Sequence, residues 1–192
     1  MAEATESAVE AKEKSRAVAL IIALLALLLA LCEAGARRAE HLSTELNIEA
    51  SDMFNFYQAK RIRSAIAETA AKTLEAQRAG QGEAAQAALE KQIADFHDVV
   101  ARFEKDPKNP DDSLDRIQER AKDAIEGRET ANRKLAHYEF GSGLTQIAIV
   151  LASAAIITEI GALVWLSVGM GVLGAILGAL GFFAPTVLPL VG

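Results

Sequence analysis

Apolar and charged residues are segregated along the chain. Residues 17–32 contain no charged residue, and neither do residues 144–158 or 160–192. Most charged residues lie instead between Glu33 and Glu139. Uncharged apolar runs of this length are typical of helices that cross a membrane. The pattern therefore predicts a membrane protein with one long charged insert between its first and second spans.

The first apolar run predicts a membrane-spanning helix over residues 17–34, after a charged N-terminal tail of residues 1–16. At about 1.5 Å per residue the uncharged part reaches roughly 24 Å, so the small residues that follow it are needed to complete the span. A cleaved signal peptide is the alternative, because basic residues precede the run and an Ala-Gly-Ala sequence follows it. Glutamates within the tail, together with Glu33, favour a span that is retained.

The C-terminal apolar region is long enough for two spans, which we place at residues 139–158 and 161–183, followed by a C-terminal tail of residues 184–192. A tight turn between these spans lets the carboxylate of Glu159 reach water and lipid headgroups. The alternative keeps Glu159 inside a span that ends near Trp165, where a lone carboxylate is costly and would indicate a function. With the turn, Trp165 anchors its helix at the membrane interface.

Small residues recur at three- and four-residue steps in the last predicted span. Gly174 and Gly178 form a GxxxG pair, and Gly171 continues the series. Such residues let two helix backbones approach closely in lipid, so we predict helix packing at these three glycines. Their partner stays open between a second copy of the chain and the alanine-rich helix that precedes them.

Within the charged insert, residues 35–138, the sequence predicts a helical stalk. No Gly or Pro occurs from Ala39 to Ala79, and apolar or small residues recur there at alternating steps of three and four. This spacing is typical of a coiled-coil seam. The residues of the predicted seam are Ala59, Ile62, Ile66, Thr69, Thr73 and Ala76.

Two interruptions set the predicted topology of the insert. The Gly-Gln-Gly sequence at residues 80–82 is the expected tip of a hairpin, because this placement gives outgoing and returning arms of similar length. Two prolines near residues 106–111 then mark a kink in the returning arm. At helical rise the hairpin reaches roughly 65–70 Å. We therefore expect an all-α fold of three transmembrane helices, with a long antiparallel coiled-coil hairpin inserted between spans one and two.

Composition and charge restrict the classes of function. The chain has a formal net charge of −6, and this acidic balance argues against a nucleic-acid binder. A single cysteine excludes a disulfide framework and a cysteine-based zinc site. The sequence contains no glycine-rich phosphate loop, no G-x-S-x-G and no H-E-x-x-H, and its histidines lack paired ligand spacing. We predict that the protein is not an enzyme and has no catalytic, cofactor-binding or metal site.

The segment Asn47–Arg63 differs from the rest of the insert because it combines aromatic and polar side chains at helical spacing. A polar seam of this kind binds a partner or fixes the register of an oligomer. The alternative is packing of the aromatic rings on the returning helix, with a solvated polar face. The predicted interaction residues are Asn47, Ser51, Phe54, Phe56, Tyr57, Gln58 and Arg61.

The chain resembles the bacterial membrane proteins grouped as domain of unknown function 4337. The most specific stretch is NIEASDMFNFYQAKRIR at residues 47–63, and the others are ALLLALCEA at residues 26–34, ARFEKDP at residues 101–107 and QIAIVLAS at residues 146–153. A basic, aromatic turn is common in that family after the last stretch, where this chain has Glu159 instead. The resemblance implies an inner-membrane protein of three spans, adds no enzyme activity or cofactor, and supports residues 47–63 as a working surface.

Taken together, the patterns predict a homo-oligomeric, membrane-anchored coiled-coil scaffold or interaction protein. Its expected partners are the lipid bilayer, a second copy of the chain and a protein partner on the stalk, with no nucleic acid. Two alternatives stay open: an accessory subunit of a larger membrane complex, and a pore or transport component. Few polar residues lie within the predicted spans, which disfavours a water-filled pore.

The predicted location is the bacterial inner, or cytoplasmic, membrane, with a multi-pass topology. Basic residues close to the spans favour a cytoplasmic stalk, because cytoplasmic loops carry an excess of Lys and Arg. On the stalk side these residues are Arg37, Arg38, Arg128, Arg133 and Lys134, against Lys12, Lys14 and Arg16 on the N-terminal side.

Overall fold

The computed structural model describes residues 2–187, with the side chains of residue 13 and residues 15–187. Residues 188–192 of the predicted C-terminal tail, and most side chains of the predicted N-terminal tail, lie outside the described residues. The fold is all-α, and no strand occurs within residues 2–187. Its helices are α1 (Ala2–Arg78), α2 (Glu83–Glu104), a short 3₁₀ helix (Pro110–Asp112), α3 (Leu114–Thr158) and α4 (Gly161–Phe183).

The interruptions after α1 and α2 coincide with Gly and Pro residues. α1 ends at Arg78, and α2 begins after Gly82, whose backbone is extended (φ −74°, ψ 162°). α2 ends at Glu104, shortly before Pro107, and the 3₁₀ helix starts at Pro110. Proline lacks the N–H that a continuing helix needs, and glycine weakens a helix through its conformational freedom. The helices therefore end where helix-forming residues give way to these two residue types.

Buried residues with heptad spacing run along α1 from Val18 to Ala39 and, in a shifted register, from Ala50 to Ala71. Helices that pack on one another over many turns bury residues at steps of three and four, a pattern that repeats every seven residues. Most of the buried side chains on α1 are small, so neighbouring helices approach it closely. The buried residues are Val18, Leu25, Cys32, Ala39, Ala50, Lys60, Ser64, Ala67 and Ala71.

The chain forms two compact units. The apolar unit comprises Met1–Thr44 and Arg128–Gly192, and the charged unit comprises Glu45–Gly127. Both α1 and α3 contribute residues to each unit, whereas α4 belongs to the apolar unit and α2 to the charged unit.

In the charged unit, contacts of α1 with the later helices come in reverse sequence order. Arg78, at the end of α1, forms an ion pair of 3.1 Å with Glu90 of α2. Arg120 of α3 forms one of 3.5 Å with Glu49, which lies earlier in α1. The later helix thus contacts the earlier part of α1 within the charged unit. Because the four side chains are exposed, the ion pairs themselves contribute little to stability.

Lys60 fixes the 3₁₀ helix to α1. The Lys60 residue is 9% exposed, and its ammonium donates a hydrogen bond to the main-chain oxygen of Asp112. The same ammonium lies 5.0 Å from the ring centre of Phe56, which is a cation–π distance. Hydrogen bonds from a charged donor are stronger than those between neutral groups. The buried Lys60 thus joins α1 to the segment between α2 and α3.

A two-residue turn, Glu159 and Ile160, joins α3 to α4 in the apolar unit. Glu159 has a φ of 57°, in the left-handed region that is unfavourable for a residue with a Cβ atom. The last residue of α3, Thr158, donates a hydrogen bond of 2.8 Å from Oγ1 to the main-chain oxygen of Ala154. The turn is therefore tight, and a strained glutamate occupies it.

Replacing Lys60 with Met keeps the length of the side chain but removes the hydrogen bond to Asp112. We expect Lys60→Met to lower the free energy of unfolding by about 1–3 kcal/mol, because a polar group loses its partner. Unfolding of the full chain by increasing SDS in mild detergent, followed by circular dichroism, measures the change. Lys91→Met is the matched control, since Lys91 is an exposed lysine of α2. Equal losses in the two variants would contradict this role of Lys60.

Replacing Glu159 with Gly relieves the left-handed strain of the turn. We expect Glu159→Gly to raise the free energy of unfolding by about 1 kcal/mol, because glycine adopts a positive φ without a steric penalty. The same SDS titration measures the gain. Glu159→Ala is the control, since it removes the carboxylate but keeps the Cβ atom. A gain of the same size in Glu159→Ala would show that charge, and not backbone strain, limits the stability of the turn.

Candidate functional site

Within residues 2–187, three helices are long and apolar enough to cross a membrane, over Ser15–Arg78, Leu114–Thr158 and Gly161–Phe183. This property is consistent with a membrane protein. Large apolar side chains of these helices face outward: Leu20, for example, is 63% exposed and Trp165 is 79% exposed. An apolar exterior around an interior of small residues is the arrangement expected of helices packed in lipid.

The backbones of α3 and α4 are in direct contact at Gly141 and Gly174. A Cβ atom on Gly141 would lie 3.0 Å from the main-chain oxygen of Gly174. A Cβ atom on Gly174 would lie 2.9 Å from the main-chain oxygen of Gly141 and 2.6 Å from Oγ1 of Thr145. Any side chain at Gly174 would therefore push the two helices apart.

The other two glycines of the predicted packing set face α1. A Cβ atom on Gly178 would lie 3.0 Å from Sγ of Cys32, and one on Gly171 would overlap the side chain of Leu25. The sequence left the partner of these glycines open between a second copy and the same chain. The structure places helices of the same chain against Gly171, Gly174 and Gly178.

Two further glycines, Gly35 of α1 and Gly181 of α4, lie close to side chains of α3 at one end of the apolar unit. A Cβ atom on Gly35 would lie 2.7 Å from the ring of Tyr138, and one on Gly181 would lie 3.0 Å from Cβ of His137. His137 is completely buried, and its Nδ1 donates a hydrogen bond of 2.7 Å to the main-chain oxygen of Arg133. A single histidine carries no spacing signal, so the packing role of His137 could not be predicted from the sequence.

Hydroxyl groups that are buried in the apolar unit are hydrogen-bonded. Ser167 of α4 donates from Oγ to the main-chain oxygen of Ala148 on α3 over 2.7 Å. Thr145 donates from Oγ1 to the main-chain oxygen of Gly141, in its own helix, over 2.7 Å. A buried polar group without a partner is costly, above all in lipid. The Ser167 bond also joins α3 to α4, so it adds to the contact made by the glycines.

Among the described residues, no group of three His, Cys, Asp or Glu side chains is arranged to hold a metal ion. Cys32 is a free and buried thiol that lies against Gly178.

The predicted interaction residues lie on more than one face of α1 in the charged unit. Phe54 is 49% exposed and Phe56 is 40% exposed, whereas Tyr57 is half-buried. Steps of three and four place Phe54 on one exposed face with the polar members of the set, and direct Phe56 and Tyr57 to other faces. The polar members, all exposed, are Asn47, Ser51, Gln58 and Arg61.

The seam that the sequence predicts is not the stripe along which α1 packs in the charged unit. Ile62 is 58% exposed and Ile66 is 64% exposed. The packed stripe is displaced around the helix and includes Ser64, Ala67 and Ala71, the last of which is completely buried. Small side chains permit a closer helix approach than isoleucine does. α1 therefore has a second stripe, the exposed stripe, made of Ala59, Ile62, Ile66, Thr69, Thr73 and Ala76.

The exposed stripe borders a groove between α1 and α2. The groove has a volume of about 760 Å³, and Gln92 and Phe96 form its α2 side. Thr69 donates a hydrogen bond from Oγ1 to the main-chain oxygen of Ala65 over 2.7 Å, and Thr73 donates one to the main-chain oxygen of Thr69 over 2.8 Å. Because both hydroxyls bond to their own helix, the threonines add methyl groups to an apolar surface.

Lys72, a charged side chain beside the exposed stripe, is paired within α1. Nζ of Lys72 lies 2.7 Å from Oε1 of Glu68. This hydrogen bond, and then the attraction of the opposite charges, lower the pKa of Glu68 and raise the pKa of Lys72. On α3, a hydrogen bond to Glu119 likewise raises the pKa of Arg116. The charge of Lys72 is thus balanced by a neighbour on its own helix.

Replacing Gly174 with Ala inserts a methyl group between the backbones of α3 and α4. We expect Gly174→Ala to lower the free energy of unfolding by roughly 1–3 kcal/mol, the usual cost of overpacking. SDS-induced unfolding in mild detergent measures it. Gly169→Ala is the matched control, because a Cβ atom on Gly169 of the same helix meets nothing within 4 Å. An equal loss in both variants would contradict the role of the backbone contact, because alanine has the higher helix propensity and Gly169→Ala is expected to lose nothing.

A family model described as "Domain of unknown function (DUF4337)" matches residues 14–184, so the chain belongs to this family. The matched residues include α2, the 3₁₀ helix, α3 and α4 in full and α1 from residue 14 onwards. No curated protein and no solved structure matches the chain.

Proposed function

We propose that this member of the domain of unknown function 4337 family is a homo-oligomeric, membrane-anchored coiled-coil scaffold. The apolar unit is its anchor, and the charged unit is its surface for association. The proposed location is the bacterial inner membrane, which the family resemblance implies. A cytoplasmic position of the charged unit is favoured by the basic residues near the spans, such as Arg37 and Arg38.

The aromatic residues of α4 support the membrane anchor. Trp165 is 79% exposed near the start of the helix, and Phe182 and Phe183 are 69% and 81% exposed at its end. At about 1.5 Å per residue, Trp165 and Phe182 lie roughly 26 Å apart along the helix. This separation is close to the thickness of the hydrocarbon core, about 30 Å. Trp prefers the interface of a bilayer because its ring is amphipathic, so Trp165 anchors the start of α4, and the exposed apolar rings of Phe182 and Phe183 lie at the other end of the lipid-facing length.

The heptad spacing of the buried residues supports a coiled-coil hairpin in the charged unit. Ala50, Ser64, Ala67 and Ala71 lie on the inner stripe of α1 at steps compatible with three and four. α2 and α3 contact α1 in reverse sequence order, as expected of an antiparallel hairpin whose tip lies near residues 80–82.

The exposed stripe is the observation that carries the proposal of self-association. A helix in a two-sided coiled coil needs two apolar stripes, and α1 has one packed stripe and one exposed stripe. Ile62 and Ile66 are the large apolar members of the exposed stripe, at 58% and 64% exposure. Charged residues such as Lys60, Arg61 and Arg63 surround these positions in the sequence, so a lipid-facing run does not explain isoleucine at this surface. A second copy of the chain would remove both side chains from water.

Charging the exposed stripe tests self-association. We expect the wild-type chain in mild detergent to have a particle mass that is a multiple of 20.4 kDa, and the double variant Ile62→Asp/Ile66→Asp to have the mass of one chain. Burial of two unpaired carboxylates is too costly for the interface to persist. Native mass spectrometry gives both masses.

Phe54→Asp is the matched control for this experiment, because Phe54 is a large apolar residue that is exposed on a different face of α1. Phe54→Asp is expected to keep the wild-type mass. A monomeric wild-type chain, or an unchanged mass in the double variant, would contradict self-association through the exposed stripe. If only Phe54→Asp became monomeric, the interface between copies would lie at the predicted interaction residues and not at the exposed stripe.

An accessory subunit of a larger complex is the second candidate function, and the exposed face of Phe54 favours it. Polar side chains such as Ser51, Gln58 and Arg61 surround this aromatic ring on the same face, a composition common in protein interfaces. Purification at native expression level in mild detergent separates the two functions. A second protein at constant stoichiometry, lost in Phe54→Asp, would make the chain an accessory subunit.

A further inference from the structure

The geometry points to a parallel, in-register pair of α1 helices, in which the exposed stripe of one chain packs on the exposed stripe of a second chain in the same membrane. This inference rests on the proposed function and specifies its partner: a second copy, with identical residues facing each other. The packing region extends from Ala59 to Ala76, roughly 26 Å of helix.

The parallel direction of the two α1 helices is inferred from the continuity of α1. A single helix, Ala2–Arg78, carries both the first candidate span and the exposed stripe. Two copies inserted the same way into one bilayer therefore present their stripes in the same direction. Both copies have the same number of residues between the span and Ile66. Ile66 of one copy therefore lies opposite Ile66 of the other, and Ile62 opposite Ile62.

The residues that flank the stripe are compatible with this register. In a parallel coiled coil, the residue just before each first heptad position faces the residue five positions later on the other helix. No facing pair here carries two like charges, so the pairing meets no electrostatic penalty. The pairs are Gln58 with Arg63, Ala65 with Ala70, and Lys72 with Gln77 of the second copy.

The residues that line the groove are compatible with a second α1 helix. Phe96 of α2 and Ala70 of α1 both line it. The residue that faces Ala70 in the parallel pair is Ala65 of the second copy, whose small side chain leaves room for the ring of Phe96. Lys72, the flanking lysine, is held by Glu68 of its own helix at 2.7 Å, so its charge is already balanced when it approaches the second copy.

Disulfide crosslinking in proteoliposomes tests the register with the full chain. Cys32 is 2% exposed and stays in place, and the wild-type chain gives the background level of crosslinking. Ile66→Cys and Ile62→Cys each place identical thiols opposite each other in the parallel pair, within the short Cα separation that a disulfide requires. We expect rapid and nearly complete crosslinking in both variants on mild oxidation.

Two further samples complete the experiment. Phe54→Cys, a thiol on another exposed face of α1, is expected to crosslink at the wild-type background. A mixture of Ile62→Cys with a size-tagged Thr73→Cys reports an antiparallel pair centred on the stripe, because only that arrangement brings these positions together. We expect no mixed crosslink above background in this sample.

The mass measured before oxidation separates the possible failures. An oligomeric mass without self-crosslinking at Ile66→Cys, or with mixed crosslinks between Ile62→Cys and Thr73→Cys, would overturn the parallel register and leave the proposed scaffold standing. A monomeric mass would overturn the scaffold and the register together.

Discussion

Direct backbone contact between α3 and α4 at Gly141 and Gly174 is the constraint on which the apolar unit depends. In lipid, apolar side chains gain nothing by leaving the solvent for a protein interior, so the helices must be held by close contact and hydrogen bonds. The absence of Cβ atoms at this point lets the two backbones touch, and it also brings Ser167 within 2.7 Å of the main-chain oxygen of Ala148. The positions of Cys32 and Gly178 follow from the same approach, since α1 lies against the pair.

Close approach of helices through small residues also characterises the charged unit. Most buried residues of α1 in this unit are small, so that the helices pack closely, and large apolar residues such as Ile62 and Ile66 are left exposed. The consequence differs between the two units, because large apolar side chains suit a lipid-facing surface but are unfavourable in water. Ile62 and Ile66 are therefore the residues of the charged unit whose exposure most needs an explanation.

Much of the fold could be predicted from the sequence, for reasons that lie in particular residues. Gly80 and Gly82, and Pro107 and Pro110, interrupt helices through local backbone effects, so their positions alone locate the breaks. The stripe that packs within the chain could not be assigned in the same way. Two sets of residues on α1 have heptad spacing, and spacing does not reveal which set faces α2 and α3. The preference for Ala67 over Ile66 depends on the distance between helices, which is a property of the packed unit. For the same reason the sequence could not decide the partner of Gly174.

Thr69 and Thr73 give the exposed stripe a property that isoleucine alone would not. Rotation about one side-chain bond directs the threonine hydroxyl either to its own helix, as observed here, or outward to water. The surface can therefore change its polarity without any movement of the backbone. The two hydroxyls can bind water while the stripe is exposed, and can bond to their own helix when another helix covers the stripe. In the proposed self-association, the two threonines would make the stripe less prone to aggregation than a fully aliphatic stripe of the same length.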